Sequence, residues 1–276
     1  MKGRRSSSMR ASHVFPAECG PTMLSRIQNE ARSVSAMSTD YWNQSRRPLA
    51  SFFFVLPLIV FYELGSWWLG EGAVRNGAAI WLQQLLTSSG LVGWFLLPLL
   101  TLAILLAWHH ATGQPWKIST NVIYAMAAES MLLAVVLLAF AHVQTNVLSI
   151  AGVQLDCEIG IEQLANETFS RIVRYFGAGV YEELLFRLML LPLVMAAIGL
   201  VIVSQKARII GALVLTSLLF SFAHYIGPYG DIFEWASFSF RAMAGGFFCL
   251  LFIFRGFGIA AGTHAVYDMI VGFPSV

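Results

Sequence analysis

Two adjacent carboxylates and an arginine stand inside an apolar run in Tyr181-Glu182-Glu183-Leu184-Leu185-Phe186-Arg187. From Val180 to Val203 the only ionisable side chains are Tyr181, Glu182, Glu183 and Arg187. A charge at the centre of a membrane helix costs about 2.5–3.5 kcal/mol on insertion scales, so charges kept there point to function. Glu183 and Arg187 are i,i+4 on a helix, the favourable order for a pair, and can neutralise each other. Glu182 lies about 100° around the same helix and has no such local partner. It needs water, a metal, another helix or a proton. That is where a general base would stand.

Further polar groups follow in two later apolar stretches. Phe220-Ser221-Phe222-Ala223-His224 ends a hydrophobic segment in a histidine. His264-Ala265-Val266-Tyr267-Asp268 sets a histidine and a carboxylate at i,i+4. Each motif alone is weak, and a lone histidine is more often a satisfied core residue. On three successive hydrophobic helices, Glu-Glu-x-x-x-Arg, Phe-x-x-x-His and His-x-x-x-Asp together resemble the CAAX prenyl protease and bacteriocin-processing family of intramembrane glutamic endopeptidases.

The resemblance covers about residues 170–272. It implies a water-activating glutamate at Glu182, with Glu183 and Arg187 holding the first motif in place. His224 would help position the water, and His264 with the last motif residue would stabilise the oxyanion. The chain departs from the family at one point: eukaryotic and archaeal prenyl proteases have Asn where Asp268 stands. An ionised Asp only accepts hydrogen bonds, so Asp268 must be protonated or must orient His264 or His224. The implied activity is hydrolysis of a peptide bond in a membrane-associated substrate, either a prenylated C-terminal peptide or a peptide precursor. No cofactor is implied.

The elements that must position these groups are membrane helices. Hydrophobic residues make up 57% of the chain and charged residues 12%, with a mean hydropathy of +0.69. Soluble domains sit near 45–50% and 25%. Several apolar runs are long enough to span a bilayer. The expected fold is therefore all-α, a polytopic transmembrane bundle of about seven spans in the cell membrane. The net charge of +2 comes with no basic groove or nucleic-acid motif. Cys19, Cys157 and Cys249 show neither metal-ligand nor CxxC spacing.

Residues 1–47 are polar, rich in Ser and Arg, and read as disordered. Met37, just before the basic flank Arg46-Arg47, is a candidate true start. Residues 48–276 form the helical domain. Spans are expected at Pro48–Leu69, Leu91–Trp108, Ser119–Ala141, Arg171–Val203, from the basic turn at Lys206 to Ile226, at Phe233–Phe254 and at Phe257–Gly272, with eight crossings if Pro192 divides the fourth. Residues 73–88 read as an amphipathic helix on the membrane surface. Residues 144–168, with Asp156, Glu158, Glu162 and Glu167, read as an acidic loop. In the seven-span count the basic flanks share one side, which the positive-inside rule makes cytoplasmic. The acid and histidine groups then fall in the outer half, whereas the resemblance implies a cytoplasmic opening.

Two other readings compete. The same Glu, His and Asp side chains could bind a divalent metal, although His-Glu-x-x-His is absent from the sequence. Alternatively the protein is a noncatalytic immunity or scaffold protein, or a transporter. A transporter would be expected to show paired repeats, and none is evident. Glu63, His109 and His110 read as structural or interfacial; Glu129 reads as a structural hydrogen bond to a neighbouring helix or a reach to the catalytic group, and Arg241 as a structural pair, a snorkelling residue or a contact for a substrate carboxylate. Gly245 and Gly246 read as positions of close helix packing.

Overall fold

The computed structural model describes residues 40–70, 75–93, 95–150, 166–227 and 230–272. The expectations for the start at Met37, most of the polar N-terminus and the acidic residues Asp156, Glu158 and Glu162 fall outside them. The described residues from Tyr41 onward form one unit. Among them all regular structure is helical, as an apolar chain in lipid requires, because a helix satisfies its own backbone.

The helices are α1 (Pro48–Leu69), α2 (Gly77–Ser88), α3 (Leu96–Ala111), α4 (Thr120–Ile150), α5 (Asn166–Gly177), α6 (Leu191–Gly199), α7 (Gln205–Ala223), α8 (Trp235–Arg255) and α9 (Phe257–Gly272). The chain from α5 to α6 is continuous, through two π-helical stretches, Ala178–Glu182 and Leu184–Leu190. α1, α4, α7 and α8 are long and apolar enough to cross a membrane, and α3 is a shorter apolar helix. The protein is thus an all-α integral membrane bundle.

α1 and α9 match their expected bounds; elsewhere the boundaries move. α3 starts at Leu96 and ends at Ala111, shifted from the expected 91–108. α4 runs on to Ile150, past the expected end at Ala141, and the chain is helical again from Asn166, so 144–150 and 166–168 of the expected loop are helical. Pro192 was expected to kink or divide the fourth span, and an element boundary does fall beside it. It lies in the first turn of α6, where the π-helical stretch returns to α geometry. A widened helix relieves the clash between a proline ring and the carbonyl four residues back.

α9 is the axis of the bundle. Every residue from Phe257 to Ala265 is buried, and the helix packs on α1, α4, α5, α8 and the first π-helical stretch. Small residues allow this. A Cβ on Gly262 would lie 2.5 Å from Phe54 Cε1, and one on Gly258 would lie 2.8 Å from the Met126 methyl. Gly256, at φ 86°, makes the one-residue turn from α8 into α9.

One end of the bundle is basic. Arg255 is bidentate to Glu129, at 2.5 and 2.6 Å, and its guanidinium lies 3.5 Å from the centre of the Trp42 ring. Arg46 reaches the carbonyl of Ile253 at 3.4 Å. Tyr41 donates to Glu129, and its burial, then that carboxylate, pushes its phenol pKa up, so it stays a donor. Glu129 is therefore the structural link between helices that its place in α4 led us to expect.

Candidate active site

The expected groups meet toward the other end, where α7 ends and α8 begins. Glu182 and Glu183 sit where one π-helical stretch gives way to the next. Widened helices of this kind recur at functional sites. Gly179 lets this segment press onto α9: a Cβ there would fall 2.6 Å from the carbonyl oxygen of Ala261 and 2.8 Å from the nitrogen of Ala265.

Glu183 is the internal brace. It is fully buried, with Oε1 at 2.9 Å from Arg187 Nη1 and 2.8 Å from His264 Nδ1. Arg187 donates through Nη2 to the carbonyl of Gly245 at 3.2 Å. Its guanidinium lies 4.3 Å from the Phe220 ring centre and 5.2 Å from that of Phe248. The expected i,i+4 pair is thus present, and the carboxylate also holds an imidazole from another helix. Gly245 packs closely as expected, since a Cβ would lie 3.0 Å from Ser217 Cα, and its carbonyl serves Arg187 as well.

Glu182 points the other way. Its Oε1 accepts a hydrogen bond from Asn76 Nδ2 at 2.8 Å. Its Oε2 is buried and makes no hydrogen bond to the protein. That oxygen lies 3.8 Å from His224 Nε2 and 3.8 Å from His264 Nε2. Asp268 Oδ2 stands 3.6 Å from the same His264 nitrogen. Side-chain exposure grades across the group, from 6% at His264 and 12% at Glu182 to 24% at Asp268 and 27% at His224, so the open side faces His224 and Asp268.

Hydrogen bonds fix both tautomers. His224 Nδ1 lies 2.9 Å from the Phe220 carbonyl, an acceptor only, so Nδ1 carries the proton. This bond also satisfies a carbonyl left free where α7 ends. His264 Nδ1 likewise donates to Glu183, and the ring stacks on Phe248 at 4.5 Å and 16°. Both Nε2 atoms therefore face Glu182, as acceptors when neutral and donors when protonated. Among the described residues no group of three or more His, Cys, Asp or Glu side chains is arranged to hold a metal ion.

All six residues named from the sequence are brought to this one place. Reading the sequence missed Asn76 and Phe248. Asn76 had a local signature, a cap residue opening an amphipathic helix, and the structure shows it accepting from the nitrogens of Ala78 and Ala79. Nothing local joined it to Glu182. Phe248 looks like any other apolar residue of α8.

A membrane helix bundle with carboxylates and histidines converging inside it defines the class. Residues 165–270 match the family model described as type II CAAX prenyl endopeptidase Rce1-like. Over this stretch the chain is similar to that family, in agreement with the resemblance carried by the three motifs. No curated protein matches the chain, and no solved structure does. That description is of an endopeptidase.

Proposed function

We propose that this protein is an intramembrane endopeptidase that hydrolyses a peptide bond of a membrane-associated substrate with water activated by Glu182. One observation carries the reading: a buried carboxylate oxygen without a hydrogen bond stands 3.8 Å from two imidazole nitrogens whose other nitrogens are both engaged. A water over this triangle donates one hydrogen to Glu182 Oε2 and the other to His224 Nε2. Its free lone pair then faces the substrate. Glu182 takes the proton as the water oxygen adds to the scissile carbonyl carbon, and returns it to the leaving amine. The carbonyl oxygen, now an anion, accepts from His264 Nε2–H. That requires the imidazolium, since Nδ1–H already serves Glu183. Glu183 and Arg187 act by holding His264.

The test is cleavage of a panel of membrane-associated peptides, prenylated and not, by purified protein in detergent, for wild type and Glu182→Gln, with and without a chelator. Cleavage that survives chelation and vanishes in the variant is the expected result. Loss on chelation would move the site to a metallopeptidase. Full cleavage by Glu182→Gln would end the assignment.

A further inference from the structure

We infer that Asn76, the residue that opens the surface helix α2, is a positioning residue for Glu182 and selects which carboxylate oxygen is free to act; the inference rests on the reading of Glu182 as the base. Asn76 lies outside the stretch that matches the protease family, which begins at residue 165.

The amide uses both of its ends. Oδ1 accepts from the backbone nitrogens of Ala78 at 2.9 Å and Ala79 at 3.3 Å, capping α2. Because those donors claim the oxygen, the side facing Glu182 must be the NH2 group, and it donates to Oε1 at 2.8 Å. A carboxylate has two equivalent oxygens and a broad terminal torsion. With Oε1 pinned from α2, the rotation is stopped with Oε2 aimed at His224 and His264. The residue does not reach either histidine. It acts only through Glu182, and it ties the placement of α2 to that of the base. α2 packs on the π-helical stretch that carries Glu182, with Ala78, Ala79 and Leu82 buried, so the cap and the contact stand on a fixed element.

Capping and positioning can be separated by substitution. Asn, Asp and Ser cap helices about equally well. If Asn76 only caps, Asn76→Asp and Asn76→Ser are silent. If it positions, both lose the amide N–H that reaches Glu182, since the Ser hydroxyl is one bond shorter, and Asn76→Asp also sets a second carboxylate against it. The expected result is a fall in kcat on the order of tenfold to hundredfold in both variants, the scale of one hydrogen bond to a charged group, with KM within about twofold.

The contact has a second readout that needs no substrate. Asn76→Asp should lower the unfolding temperature in the wild-type background, where it faces Glu182. In a Glu182→Gln background it should not, because the Gln amide donates to the new carboxylate and the bond reverses direction. Equal losses in both backgrounds would overturn the contact. Wild-type kcat in both Asn76 variants, alongside an inactive Glu182→Gln protein, would overturn this inference alone. Cleavage retained by Glu182→Gln would overturn the base assignment and this inference with it.

Discussion

His264 joins the two adjacent glutamates: Nδ1 is hydrogen-bonded to Glu183 at 2.8 Å, and Nε2 lies 3.8 Å from Glu182 Oε2. One imidazole from α9 thus separates a carboxylate that braces from one whose Oε2 makes no hydrogen bond. The division follows from helical direction, since consecutive side chains leave a helix at different angles and meet different neighbours.

That division predicts unequal effects on stability. Glu183→Ala leaves Arg187 buried and unpaired among Phe220, Phe248 and the Gly245 carbonyl, at a cost of about 3–5 kcal/mol. Glu182→Gln keeps the shape and an oxygen for Asn76, and should cost less than about 1 kcal/mol. Unfolding in detergent checks both. Equal losses would mean that the two carboxylates share one structural role.

Gly179→Ala should damage the site without touching a charged group. The added methyl meets backbone, at 2.6 Å from the Ala261 oxygen and 2.8 Å from the Ala265 nitrogen, so no side chain can swing aside. Either α9 or the π-helical stretch must shift, and His264 stands beside Ala265. A loss of about 1–3 kcal/mol in stability is expected. Cleavage per folded molecule should fall at least about tenfold, because misplacement on the ångström scale is costly. A variant with wild-type kcat would show that the packing tolerates the methyl.

Much of this was legible because lipid makes charge scarce. Glu183 and Arg187 could be paired by spacing alone, and Glu182 could be marked as the carboxylate lacking a local partner. The limits of α9 were legible because Arg255-Gly256 and Gly272 punctuate a mostly apolar run. The π-helical geometry was not legible, since nothing in Ala178–Leu190 distinguishes i→i+5 from i→i+4 bonding. Nor was the tie from Asn76 to Glu182, which spans 106 positions and depends on how α2 docks. Local signals give a helix its start, but its neighbours are set by packing.

The basic end of the bundle supplies a control. Glu129→Gln removes the charge that pairs with Arg255 and leaves one acceptor oxygen for Arg255 and Tyr41 to share, at the end of the bundle opposite to Glu182. Because Glu129 is partly exposed, the loss should be about 1–3 kcal/mol, below that for a fully buried pair. The kcat of the folded protein should stay at the wild-type value. A large drop in kcat without a drop in unfolding temperature would show that Glu129 bears on the chemistry.

Asp268 gives the sharpest prediction about the oxyanion. Its Oδ2 stands 3.6 Å from His264 Nε2, too far for a direct hydrogen bond but near enough to orient the ring. In the proposed mechanism that nitrogen donates to the oxyanion. An ionised Asp268 can only compete for its proton or steer it; it cannot donate itself. An asparagine here keeps an oxygen toward His264 and adds an N–H that can reach the oxyanion. Asp268→Asn should therefore cleave within about tenfold of wild type, whereas Asp268→Ala, which loses both, should fall on the order of hundredfold, the scale of one oxyanion contact. Both are read as kcat on the same peptide. If Asp268→Asn proves as inactive as Asp268→Ala, the residue acts through its charge on His264 and the orienting role fails.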